Sequence, residues 1–153
     1  MSKFGTTGRY LYAGATVALL SLTAGCTSNL PISTTGAAPF PEAEVRFEQN
    51  ATDGDVEVVF EAKADDDGLA RLQIVAPDGR MVVNFIAPDS STMGIRQFRF
   101  ESPEPKNVAA LKSAYPEGAY RFAGRTFGGA TFAGTARLNH TLPATVEEDE
   151  DGQ

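Results

Sequence analysis

After residue 41, apolar residues alternate with polar ones in short runs bounded by Gly, Asp, Pro and Asn. The clearest runs are "VEVVFEA" at 56–62, "ARLQIVA" at 70–76 and "IRQFRFE" at 95–101. A period of two is typical of strands that bury one face. The runs "EVRFEQ", "MVVNFI", "AYRFAGRTF" and "TFAGTARLNHTL" bring the total to about seven strands. Strands this short and closely spaced predict an all-β fold, an antiparallel immunoglobulin or fibronectin type III-like sandwich.

Two glycine-containing turns predict how neighbouring strands pair. In "APDGR", Pro77 suits a φ near −65° and Gly79 tolerates a positive φ, so the flanking strands should form a hairpin. In "TFGGAT", a two-residue loop would place apolar beside polar residues on each face. A three-residue loop at 128–130, with a bulge, sets Tyr120 opposite Leu138 and Phe122 opposite Ala136, and is therefore favoured.

One segment departs from the β pattern. "NVAALKSAYP" has apolar residues at helical spacing and a proline stop, which predicts a short helix that crosses between the sheets. The following "YPEGAYRF" resembles the tyrosine corner of fibronectin type III and immunoglobulin-like sandwiches. That resemblance implies a buried Tyr120 ring whose hydroxyl bonds to upstream backbone, with Leu111 preceding it. The alternative is that Tyr120 is an ordinary core residue and Tyr115 caps the turn.

The C-terminal half also resembles a known group of sequences. "FESPEP", "YPEGAYRFAGRT" and "LNHTLPA" are similar to stretches in uncharacterised bacterial exported lipoproteins with a fibronectin type III-like domain. The resemblance covers about residues 49–144. It implies the fold and carries no activity.

The N-terminal residues predict export and a lipid anchor. A basic lead with Lys3 and Arg9 precedes an apolar run at 10–22, which is shorter than the roughly 20 residues of a membrane-spanning helix. "SLTAGC" resembles the lipobox of bacterial lipoproteins, which implies that the Cys26 thiol receives a diacylglyceryl group with palmitate-type chains and that the chain is cleaved before Cys26. Thr23 stands where that motif most often has leucine. The alternative is an ordinary signal peptide with an incidental thiol.

These signals divide the chain into four parts. Residues 1–25 are predicted as a lipoprotein signal peptide, and 26–41 as the lipidated cysteine and a flexible tether rich in Ser, Thr, Pro and Gly. The sandwich is expected at 42–144 and an acidic disordered tail at 145–153. By the sorting rules of lipoproteins, Thr27 after the cysteine implies the outer membrane, at its periplasmic face or at the cell surface.

The charge balance limits the partners. The chain has 20 acidic and 13 basic residues, for a formal net charge of −7. Such a surface should repel nucleic acid and anionic lipid head groups. Membrane affinity is therefore expected from the anchor at Cys26.

Side chains that catalysis or metal binding would require are scarce. His140 is the single histidine and no nucleophile motif accompanies it, so we expect a hydrogen-bonding role, no enzyme activity and no cofactor. Aspartates at Asp53, Asp55 and Asp65–Asp67 raise the alternative of a calcium site. They flank one strand at opposite ends, so turn formation is the favoured interpretation and no metal site is assigned.

The remaining candidate is a basic surface. Arginines alternate with core residues at Arg96, Arg99, Arg121, Arg125 and Arg137. If Arg121, Arg125 and Arg137 share an outer face near Phe127, they form a positive strip for a partner. The sequence as a whole favours a lipid-anchored envelope protein with a non-catalytic binding or structural module whose protein or envelope partner is unidentified. A calcium- or carbohydrate-binding accessory module is the alternative.

Overall fold

A computed structural model describes residues 30–50, 52–87 and 93–142. The predicted signal segment, Cys26 and the predicted acidic tail lie outside this range. The strands are β1 (Ala38–Pro39), β2 (Glu42–Gln49), β3 (Val56–Lys63), β4 (Leu69–Val75), β5 (Met81–Ile86), β6 (Gln97–Glu101), β7 (Gly118–Thr126) and β8 (Thr131–Leu138), with one helix, α1 (Val108–Ala114).

The strands form two sheets that enclose one core. One sheet has the order β1-β8-β7-β4-β5 and the other β2-β3-β6. All pairs are antiparallel except β1 with β8, which is parallel. The predicted immunoglobulin/fibronectin type III-like sandwich is confirmed, and each of the predicted runs is a strand. β1 is an addition that the alternation did not indicate.

Alternation along the strands produces the core. Inward positions of β3, β4 and β7 carry the most deeply buried side chains, including Val58, Leu72, Ile74, Tyr120 and Phe122. Aromatic rings join the two sheets: the rings of Phe85 on β5 and Phe98 on β6 meet edge-on with centroids 5.0 Å apart. Burial of such apolar surface is the main stabilising contribution in a chain whose single cysteine forms no internal disulfide.

The first predicted hairpin is confirmed. β4 and β5 pair antiparallel around the turn at Pro77 and Gly79. Gly79 has φ +88°, a conformation that costs glycine little because it has no Cβ. The Ala76 amide donates to the Arg80 carbonyl at 2.8 Å and closes the turn.

The second hairpin corrects the predicted register. The β7–β8 loop has three residues as expected, but they are Phe127–Gly129, and the Thr126 amide donates to the Ala130 carbonyl at 3.0 Å. Tyr120 therefore lies opposite Ala136 and Phe122 opposite Gly134, two positions from the predicted partners.

The physical reason for this register is the Phe40 ring. Phe40 packs between the sheets against Phe122 and Phe132, with centroids 6.4 and 5.6 Å away. Glycines at 124 and 134 leave room for it, since a Cβ on Gly124 would lie 2.7 Å from its ring. The sequence places Phe40 in the predicted tether, so the predicted register takes no account of the space that its ring occupies beside Gly124 and Gly134.

The crossover from one sheet to the other follows the expected plan. The helix α1 lies between β6 and β7 and starts at Asn107, whose side chain accepts from the Ala110 amide at 2.8 Å. Leu111 is its buried residue, and Tyr115 forms the C-cap.

Tyr120 forms the predicted tyrosine corner. Its ring is fully buried, and its hydroxyl donates to the Pro116 carbonyl at 3.1 Å. Burial disfavours the phenolate and raises the pKa of Tyr120 to about 12. The hydroxyl is therefore neutral and acts as a donor throughout the physiological pH range.

The segment predicted as a flexible tether is corrected over its described part, residues 30–41. Ile32 and Phe40 are each only 8% exposed. Gln73 on β4 accepts from the Ile32 amide at 2.9 Å and donates to the Leu30 carbonyl at 3.1 Å. The segment 30–37, which we call the strap, is therefore held to the sandwich at Leu30 and Ile32, and β1 continues it along β8. Pro31 and Pro39 are compatible with this path because edge positions need no further amide donor.

No helix within the described residues is long and apolar enough to cross a membrane.

The tyrosine corner can be tested by removing a single oxygen. Tyr120→Phe keeps the ring but leaves the Pro116 carbonyl without this donor, which should lower the free energy of unfolding by about 1 kcal/mol. Urea denaturation measures this free energy of unfolding. Tyr115→Phe is the matched control and should leave the midpoint unchanged. Equal midpoints for the Tyr120 variant and the wild type would contradict the structural role of the hydroxyl.

Candidate binding surface

The outer faces of the two sheets differ sharply in charge. The strands of the three-stranded sheet carry six glutamates at positions 42, 44, 48, 57, 61 and 101, with Arg46, Lys63 and Arg99 as the only basic residues. The strands of the five-stranded sheet carry four arginines, Arg71, Arg121, Arg125 and Arg137, and no acidic residue. The acidic net charge is therefore unevenly distributed over the sandwich.

On the three-stranded sheet, the arginines are neutralised by a network of glutamates. Glu61 lies at its centre, 2.9 Å from Arg46 and 2.6 Å from Arg99. Arg99 also contacts Glu101 at 2.7 Å and Glu48 at 3.0 Å. These charges satisfy one another, so this face offers little attraction to an anion.

The pKa shifts follow from the same contacts. Hydrogen bonds from Arg46, and next from Arg99, hold the pKa of Glu61 below its ordinary value of 4.5. Hydrogen bonds to Glu61, Glu101 and Glu48 raise the pKa of Arg99. Both shifts favour the charged forms, which keeps the network intact at neutral pH.

The five-stranded sheet brings the predicted arginine strip to its outer face. Arg121 pairs with Thr135, Arg125 with Thr131 and Arg137 with Ala119, and each of these arginine side chains is exposed. Residues that alternate with the inward Tyr120 and Phe122 must point outward, so the arginines share one face. Within the described residues, no carboxylate lies within ion-pair distance of Arg121, Arg125 or Arg137.

A fourth arginine, which the sequence analysis missed, extends this face. Arg71 on β4 lies directly opposite Arg125 on β7. Burial, followed by the charge of Arg125, lowers the pKa of Arg71. Like charges directly opposite one another on a sheet are unfavourable. An anion placed between the two guanidinium groups would relieve that repulsion.

The Arg71–Arg125 pair borders a shallow recess of about 370 Å³. Ile86 and Phe127 line it with apolar surface, and each is 40% exposed. The Arg71 guanidinium is also held in position, because it donates to the Leu30 carbonyl at 3.0 Å. The recess therefore combines fixed positive charge with accessible apolar side chains.

The strap crosses this face between the arginines. Gln73, Ala123, Ala133 and Pro39 form one row across β4, β7, β8 and β1. That row is roughly 14 Å wide at about 4.8 Å per strand, and the six steps from Ile32 to Ala38 span at most roughly 20 Å. The strap is therefore long enough to pass from Gln73 on β4 to β1 beside β8, and the register places Arg121 and Arg137 on one side of this row and Arg71 and Arg125 on the other.

His140 has the hydrogen-bonding role expected from the sequence. Its ring stacks on Phe47 with centroids 5.3 Å apart, and its Nε2 lies 2.8 Å from the Tyr115 carbonyl. A carbonyl only accepts, so Nε2 carries the proton. Glu117 accepts from the His140 backbone amide at 2.7 Å. These contacts join the end of β8 to β2 and to the crossover.

The aspartate-rich loops take part in turns. The Asp53 carboxylate accepts from the Asp55 amide at 3.2 Å, and that of Asp65 accepts from the Asp66 amide at 2.9 Å. Asp66 also lies 3.7 Å from Arg96. In the described part of the chain, no group of three or more His, Cys, Asp or Glu side chains is arranged to hold a metal ion.

The structure thus separates the predicted basic residues. It places Arg121, Arg125 and Arg137 on one outer face, whereas Arg99 belongs to the glutamate network and Arg96 lies beside a loop. The predicted lipid attachment site, Cys26, lies outside the described residues, four positions before Leu30.

Comparisons with known proteins assign no family to this chain. No protein-family model and no curated protein matches the chain. Among solved structures, the crystal structure of the Ig1 domain of mouse SynCAM 2 is 14% identical with a TM-score of 0.39, covering 69% of this chain and 96% of that chain. The fold assignment rests on the strand order described above. The resemblance to exported bacterial proteins stays a prediction.

The glutamate network makes stability depend on pH. Because the folded pKa of Glu61 is depressed, its contribution is present above about pH 4.5 and is lost as the pH falls through the folded pKa. Glu61→Gln should therefore destabilise the protein by up to about 1 kcal/mol at pH 7, and this difference should shrink in acid. Urea denaturation at neutral and acidic pH measures both values. Glu57→Gln, on the same strand, is the control and should leave the free energy of unfolding at pH 7 nearly unchanged, because no arginine lies within ion-pair distance of Glu57 among the described residues. A difference between Glu61→Gln and the wild type that is equal at both pH values would contradict the assignment.

Proposed function

We propose that this protein is a lipid-anchored lipoprotein of the cell envelope, and that its β-sandwich is a non-catalytic binding or structural module. The anchor is a diacylglyceryl group on the thiol of Cys26, which cleavage before that residue makes the first residue of the mature chain. The outer membrane, at its periplasmic face or the cell surface, is the proposed location because Thr27 follows the cysteine. The partner is a protein or another component of the envelope.

The path of the chain at Leu30 is the observation that supports the anchor best. Leu30 lies on the outside of the sandwich and is 60% exposed. The residue four positions earlier therefore needs no place in the core. A thiol at that position is free to carry an acyl chain into a bilayer, which agrees with the lipobox-like "SLTAGC".

The contacts of the side chains support a non-catalytic role. A hydrolase would require an imidazole poised beside a nucleophile. The partners of His140 are a phenylalanine ring, a backbone carbonyl and a glutamate, all of which serve to hold β8 in place. The fold itself is shared by proteins of many functions and does not name the partner.

Replacing the acylated thiol tests the anchor directly. Cys26→Ser should abolish incorporation of labelled fatty acid and move the protein from the membrane to the soluble fraction. The melting temperature should stay unchanged, because Cys26 precedes the strap and the core. Fatty-acid labelling and fractionation of expressing cells measure the outcome, with Ser28→Ala as a matched control. Label that persists in the Cys26 variant would contradict the proposal.

A further inference from the structure

We infer that the outer face of the five-stranded sheet docks onto an anionic phospholipid surface, the same membrane that holds the proposed anchor. The inference rests on the proposed acylation of Cys26. It assigns the three exposed arginines of that face, Arg121, Arg125 and Arg137, to lipid phosphate groups. Membrane attachment then has two components, a covalent acyl chain and an oriented protein face.

The distance from the anchor to the face is the first argument. The strap begins at Leu30, whose carbonyl is bound by Arg71 and Gln73 on the outer face itself. Only four residue steps separate Leu30 from Cys26, and they span at most roughly 14 Å when fully extended. A tether that reached to residue 41 would have lifted the domain far from the bilayer, whereas this one holds the arginine face close to it.

The sign and separation of the charges are the second argument. The face near the anchor has four arginines and no acidic strand residue, and the acidic sheet faces the opposite direction. Stacked sheets are about 10 Å apart, and the Debye length is about 8 Å at physiological ionic strength. The glutamates of the far sheet are therefore largely screened from the membrane, while the arginines lie within reach of it.

Exposed apolar side chains on the same face are the third argument. Leu30, Ile86 and Met81 are at least 40% exposed and lie on or beside the outer face, as does Phe127 at the edge of the recess. The described strands of the three-stranded sheet have no large apolar residue with comparable exposure. Arginines flanked by exposed aromatic and aliphatic groups are typical of surfaces that lie in a membrane interface.

A tryptophan reporter tests the orientation. The chain has no tryptophan, so Phe127→Trp places a single fluorophore beside Arg125, far along the chain from the anchor. The acylated protein is incorporated into vesicles of brominated phosphatidylcholine, alone or mixed with phosphatidylglycerol. We expect several-fold stronger quenching in the mixed vesicles. The excess quenching should vanish near molar salt, where the Debye length falls to about 3 Å.

Two charge variants locate the contact. Replacing Arg121, Arg125 and Arg137 with Gln should remove the excess quenching in the mixed vesicles. Replacing Lys63 on the three-stranded sheet together with Lys106 and Lys112 at the helix by Gln changes the net charge equally, away from this face, and should preserve it. Equal quenching in neutral and anionic vesicles, or equal loss in both variants, would overturn the inference. Near-ultraviolet and far-ultraviolet circular dichroism verifies that each variant is folded.

Chemical modification of arginines in the wild-type protein tests the same contact without the Phe127→Trp substitution. Phenylglyoxal modifies exposed arginines, and mass spectrometry reads each site in the wild-type protein. Arg121, Arg125 and Arg137 should react several-fold more slowly on anionic than on neutral vesicles, whereas Arg46 on the opposite sheet should react at the same rate on both. Uniform rates at all four sites would overturn the inference.

The proposed acylation of Cys26 and the proposed docking of the arginine face are tested separately. If cells do not acylate Cys26, the proposed function fails, and the thiol is then coupled to a maleimide lipid to supply an anchor at the same position. Cys26 is the single cysteine, so this coupling is specific. Quenching that still requires the anionic lipid and the three arginines would support the docking face without the natural anchor. If the maleimide-lipid conjugate shows no such quenching, the inference is overturned.

Discussion

The side chain of Gln73 determines how the chain enters the sandwich. Its amide oxygen accepts from the Ile32 backbone and its amide nitrogen donates to the Leu30 carbonyl, while the side chain is 2% exposed. A buried amide that bonds both backbone groups is a strong constraint, because a hydrogen bond lost in a buried site is not replaced by water. It fixes the point on the outer face from which the strap leads to β1 and Phe40.

The position of Phe40 links this entry to the register of the sheet. Once the strap has crossed the outer face, β1 covers the edge of β8, and Phe40 turns inward between the sheets. The glycines at 124 and 134 provide the space for its ring. Covering β8 also removes an open edge, which is a recurrent liability of β-sheets. One short segment thus fills the core, closes an edge and divides the arginine face.

The sequence predicted the parts of this structure that local patterns control. Alternation identified β2 to β8, and turn chemistry identified the β4–β5 hairpin. The tyrosine corner followed from its resemblance to other sandwiches. The strap was missed because Ile32 and Phe40 are isolated apolar residues, and their partner Gln73 is 41 positions from Ile32. Arg71 was missed for a related reason, since its proximity to Arg125 exists only in the pairing of β4 with β7.

The formal net charge of −7 predicted repulsion from anionic lipids, and the fold changes the meaning of that number. Glutamates gather on one sheet, where Arg46 and Arg99 neutralise part of their charge. The other sheet carries Arg121, Arg125 and Arg137, which have no carboxylate within ion-pair distance among the described residues, and it also binds the chain at Leu30. A surface within a few ångströms of a charged plane responds to the nearest charges, because salt attenuates the rest within about a Debye length. For a domain held by a short tether, the charge of the face beside the anchor therefore governs its orientation, and the sum over the chain does not.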